Sequence, residues 1–137
     1  MGMYIGQTAS FSKTISESDV YWFAGLVGDF NSVHINQVEA RKSIFGDRIA
    51  HGMLVGSLIS TVLGTKLPGL GTIYLEQNLK FKKPVYLGDT VTATVTASEL
   101  LNKEKGIYKM ETKITNQNTE IVTDGYAIVM YKENKND

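Results

Sequence analysis

The chain has 137 residues, enough for one domain spanning 1–137 and too few for a separate cofactor domain. Hydrophobic residues make up 42%, which suffices for a full core at this length. Fourteen Lys and Arg balance 14 Asp and Glu, so the basic footprint of a nucleic-acid or anionic-membrane binder is missing. With no cysteine, disulfides, thiolate metal sites and a thiol nucleophile are excluded.

In chain order, a first short strand is expected at Thr8–Thr14. Ser16 then caps a helix, with Asp19 in the capping-box position. Val20, Phe23, Ala24 and Val27 follow helical spacing and predict one buried face, and Gly28 ends the helix. A short segment, Asp29 to Ile35, follows, and Asn36 with Glu39 opens a short helix near Gln37–Ser43. The next helix, roughly Gly52–Lys66, is apolar around most of its circumference and belongs inside the protein. Gly56, Ser57 and Ser60 keep part of it thin. Pro68-Gly69 and Gly71 turn the chain.

Four strands are then expected: Ile73–Phe81, Thr90–Ser98, Ile107–Thr115 and Ile121–Tyr131, with turns at Asn102–Gly106 and Asn116–Thr119. Their alternation predicts a half-buried antiparallel sheet, with Gln77 marking a bulge or a polar contact. Helices and strands are segregated, which predicts an α+β fold with the sheet wrapped around the buried helix. The polar tail from Lys132 is expected to fray. Met1 to Ser12 lacks the apolar core of a signal peptide, and Met53–Leu63 is too short to span a bilayer. The expectation is a soluble cytoplasmic protein with no nucleic-acid or membrane partner.

The chemistry concentrates in Gly28-Asp29-Phe30-Asn31-Ser32-Val33-His34. On a continuous helix Asp29 and His34 would point about 140° apart. On a loop or broken helix they can converge on one water as a general acid–base pair. Placement as a turn residue and a polar loop residue stays open. Gly52 opens the buried helix, where free N–H groups can hold an oxyanion and glycine admits a carbonyl, or simply a crowded chain. Ser57 fails the G-x-S-x-G pattern, and Ser60 could either bond its own helix or orient Asp29. His34 and His51 show no metal-ligand spacing, so no metal site is expected. Lys80, Lys82, Lys83 and Arg48 could meet phosphates or simply be solvated.

These residues resemble a known family. The stretch Asp29 to His34 is similar to the D-x-N-P-x-H motif of the MaoC-like, (R)-specific enoyl-CoA hydratases, with Ser32 where that motif usually has proline. His51-Gly52-Met53-Leu54 resembles the family's H-G-M-L segment. Phe81-Lys82-Lys83-Pro84-Val85 and Gly88-Asp89 resemble its F-x-x-P-V…G-D pattern. The resemblance implies a hot-dog fold, a homodimer and an acyl-CoA or acyl-ACP thioester substrate, with no metal, flavin or nicotinamide cofactor. It implies that Asp29 and His34 are the acid–base pair and that the Gly52 N–H holds the thioester carbonyl. Ser60 and Asn31 would orient the pair, and Leu63 would line the acyl pocket. The alternatives on the same fold are an acyl-CoA thioesterase and a non-catalytic acyl-thioester binding module.

Overall fold

A computed structural model describes residues 3–133. The elements run β1 (Thr8–Thr14), α1 (Glu17–Val27), α2 (Ser32–Ile35), α3 (Gln37–Lys42), α4 (Gly52–Thr65), β2 (Ile73–Phe81), β3 (Thr90–Asn102), β4 (Ile107–Thr115) and β5 (Ile121–Met130). The strands form one five-stranded sheet in the order β1-β3-β4-β5-β2, with every pairing antiparallel. This is the hot-dog architecture, α+β, with α4 lying against the sheet.

Alternation in β3 turns Val91, Ala93, Val95 and Ala97 inward, all fully buried. Met110 and Ile114 of β4 and Val122, Ala127 and Val129 of β5 complete that face. Against it α4 sets Val55, Leu58, Ile59, Val62 and Leu63. Each such side chain contributes about 1.5–3 kcal/mol through burial. One stripe of α4 stays open. Met53, Ser57 and Ser60 are exposed along it, spaced as one helix face.

Local signals explain the entry to the site. Ser16 and Asp19 form a reciprocal capping box that starts α1, and Gly28 ends it in the left-handed region at φ 82°. Two expectations need revision, and the structure decides between the two readings of Gln77. Val27 is 55% exposed, because α1 buries only Val20 and Ala24 fully. β3 runs on to Asn102, bending through two register shifts. The bulge in β2 falls at Leu75, not Gln77. It turns Leu75 off the inner face and brings Tyr74 onto the face of Gln77, Leu79 and Phe81, each opposite an inward residue of β5. Gln77 is the polar contact: its amide donates to Thr112 Oγ1 and to the Asn78 and Tyr126 carbonyls.

Candidate active site

The chain leaves α1 at Gly28 and must turn sharply before re-entering the core. Asp29 and Asn31 make that turn. Asn31 N–H donates to Asp29 Oδ1 at 3.2 Å, and Val33 N–H donates to Asn31 Oδ1 at 3.2 Å, so Asn31 is the N-cap of α2. Asn31 therefore holds the Asp29 carboxylate through its backbone, while its side chain serves the helix. The single turn of α2 then aims His34 inward, where it is 8% exposed.

His34 Nδ1 lies 2.7 Å from the Ile49 carbonyl oxygen, which can only accept. The proton therefore sits on Nδ1, and Nε2 is the nitrogen free for a water or substrate. Ile49 N–H in turn donates to the Val33 carbonyl at 3.0 Å, and Ala50 N–H to the Val85 carbonyl at 2.7 Å. These bonds lace the segment before α4 between α2 and the residues leading to β3. They deliver His51 and Gly52 to the same place.

Asp29, His34, His51, Gly52 and Met53 line one cavity of about 320 Å³, closed by Phe23 and Val27. The N–H groups of Gly52 and Met53 have no acceptor among the described residues. They point off the N-terminus of α4, where the helix dipole adds partial positive charge. A Cβ at Gly52 would sit 2.8 Å from the Phe81 ring, so only glycine fits without movement.

Two further cavities reach Met53. One, of about 430 Å³, runs past Phe45 and Phe81 to Lys82 and Lys83. The other, of about 720 Å³, follows the open face of α4 past Gly56, Ser57 and Ser60 to Tyr74 and Gln77. Burial there pushes the Tyr74 hydroxyl up to about 12, and that hydroxyl donates to Gln77 Oε1.

Thus Asp29, His34 and Gly52 come together in one chain. Ser60 does not join them: eight residues along α4 from Gly52, it lies roughly 12 Å away along the axis and lines the other cavity. Leu63 is 1% exposed in the core and is not among the residues lining these cavities. Of the basic residues, Arg48 is engaged by Glu17 at 2.7 Å, Lys82 by Asp124 at 3.4 Å, and Lys83 by Glu120.

The residue that sequence reasoning underweighted is His51. Its Nε2–H donates to the Asp29 carbonyl at 2.9 Å, and its ring stacks on His34 with centroids 3.8 Å apart. Asp29, His34 and His51 each bring one potential ligand atom within 4.8 Å of the others. They make a poor metal centre even so. The stacked rings aim their in-plane lone pairs side by side rather than at a common point.

The chain as a whole is similar to known proteins. The MaoC like domain model matches residues 3–121. The chain is 54% identical to an (R)-specific enoyl-CoA hydratase of Rhodospirillum rubrum over 125 residues, covering 91% of this chain and 85% of that protein. It is 42% identical to a 3-hydroxybutyryl-CoA dehydratase of Methylorubrum extorquens, covering 91% and 78%. Among solved structures, the unliganded R-hydratase of Pseudomonas aeruginosa superposes with a TM-score of 0.91 at 42% identity, covering 96% of this chain and 84% of that one. The (R)-hydratase of A. caviae involved in PHA biosynthesis also gives 0.91, at 41% identity, covering 95% and 98%.

Proposed function

This chain belongs to the MaoC-like domain family, and from that premise we propose that it catalyses reversible (R)-specific hydration of trans-2-enoyl-CoA to (R)-3-hydroxyacyl-CoA. The activity is that of a hydro-lyase. The observation that carries the reading is the shared cavity of Asp29, His34 and Gly52, with His34 Nε2 left free by the Nδ1–H bond to Ile49.

In this account the thioester oxygen accepts from the Gly52 N–H at the start of α4. As water adds to C3, negative charge moves onto that oxygen, where the N–H and the helix dipole stabilise it. Asp29 and His34 hold the water between them. One takes its proton as the C3–O bond forms, and the pair returns a proton to C2, so charge balances. The reaction written this way uses only these groups.

The flanking cavities suit the rest of the substrate. The arm past Phe45 and Phe81 ends at Lys82 and Lys83, suited to a phosphate-bearing CoA or acyl-carrier arm. The space beside Met53 and Gly56 is apolar enough for the acyl tail. The described residues form one domain in this reading, acting in the cytoplasm. No helix among the described residues is long and apolar enough to cross a membrane.

A homodimer completes the proposal. The open stripe of α4 and the side of edge strand β2 that faces it, with Met53, Tyr74 and Phe81 exposed, form one largely apolar face suited to a second copy. The orienting role proposed for Ser60 then depends on that second copy, since Ser60 does not reach Asp29's cavity within one chain.

The test is to incubate the protein with crotonyl-CoA and follow enoyl absorbance and free thiol together. Loss of absorbance without thiol is expected. Thiol release with the double bond intact would instead identify a thioesterase, and binding without either change a non-catalytic module.

A further inference from the structure

His51 is neither part of the proposed acid–base pair nor an oxyanion donor, yet it touches both members of the pair and precedes Gly52. It is 3% exposed. Its Nε2–H holds the Asp29 carbonyl at 2.9 Å. Its ring lies on that of His34 with planes 25° apart, and Phe23 leans on it with centroids 5.0 Å apart.

Two details separate this from ordinary core packing. Because a carbonyl can only accept, the proton is on Nε2, and Nδ1 is a bare acceptor. That Nδ1 is buried with no hydrogen-bond partner among the described residues. An unsatisfied buried acceptor costs stability, and a phenyl ring would fill the slot without that cost. Secondly, Asp29 follows Gly28, a left-handed glycine with open space around it. The His51 donor is the tie that fixes the Asp29 backbone against the rest of the cavity.

We infer that His51 is a positioning residue for hydration. Its N–H anchors Asp29, its ring face sets the plane of His34, and its chain neighbour is the oxyanion glycine. One buried side chain thereby sets the mutual placement of base, acid and oxyanion site. The inference rests on the proposed Asp29–His34 reading.

Two variants divide the roles. His51→Phe keeps a ring and removes the donor; His51→Gln keeps a donor and removes the ring. Turnover of crotonyl-CoA is measured for each, alone and with Asp29→Asn, with circular dichroism reporting the fold. The expected result is a kcat lower by about tenfold in each single variant, since small misplacements are costly, with KM within about threefold. On the Asp29→Asn background, His51→Phe is expected to add less than about twofold, because the group it positions is already gone.

A folded variant with kcat reduced less than about threefold would overturn the inference. So would a loss carried by KM, or a His51→Phe loss that multiplies in full on Asp29→Asn. If His51→Phe does not fold, the kcat of His51→Gln decides. Near-normal kcat in Asp29→Asn alone would remove the acid–base reading and this inference with it. A disabled Asp29→Asn beside normal His51 variants would remove only the inference.

Discussion

The backbone of Gly52 lies directly against the ring of Phe81: a Cβ there would stand 2.8 Å from Cδ1 and Cε1 of that ring. This contact lets the start of α4, with its free N–H groups, form the floor of the cavity that Asp29 and His34 share. Gly52→Ala should therefore cost about 1–3 kcal/mol by overpacking and lower kcat about tenfold or more by shifting the oxyanion donor. Adding Phe81→Leu should recover most of the melting temperature and little of the kcat. Full recovery of both would show that Gly52 matters only for packing.

The capping box of α1 carries a pH signature. The Ser16 backbone N–H, bonded to Asp19 at 3.0 Å, holds the Asp19 carboxyl below its usual 3.8, with Lys13 adding a smaller pull in the same direction. A lowered folded-state value means the deprotonated form is favoured by folding. Its contribution is complete above the unfolded value and fades as pH falls through the folded one. Asp19→Ala should cost about 1 kcal/mol at pH 7 in urea unfolding. The gap from the parent should narrow only below pH 3.8. A gap that stays constant to lower pH would assign the loss to packing.

Gly125 and Gly64 predict opposite outcomes for the same change. A Cβ at Gly125 would stand 1.9 Å from the Asn78 carbonyl oxygen, a backbone atom of the facing strand β2. Gly125→Ala should pry β2 from β5, costing about 3 kcal/mol or more and raising hydrogen exchange along Asn78–Phe81. Gly64, in α4, has nothing within 4 Å of its added Cβ. Gly64→Ala should stabilise by up to about 1 kcal/mol through helix propensity. Thermal melting checks both signs.

Much of this was readable along the chain. Ser16 with Asp19, Gly28, the apolar α4 and the alternation of β3 are local signals, and these elements form where their spacing predicts, although β3 runs on beyond Ser98 to Asn102. The helix stop at Gly28 was readable, but the cap at Asn31, which together with it brings Asp29 and His34 into one cavity, emerges only in the structure. His51 was not readable in the same way. Its stack on His34 depends on Ile49 returning to Val33, a contact across the loop between α3 and α4 that no local pattern encodes. Gln77, the visible break in hydrophobic alternation, is the polar contact that was one of its two readings, while the bulge at Leu75 was not readable because the extra residue is itself apolar. Ser60 shares a helix with Gly52, and spacing alone does not tell which cavity it faces.

The most direct test of the account is the kcat for crotonyl-CoA hydration in Asp29→Asn and in His34→Ala, each verified as folded. The account predicts that each falls at least about 100-fold, the scale of a general acid–base group, while binding of the CoA thioester persists. Folded variants that hydrate at near-parental rates would contradict it.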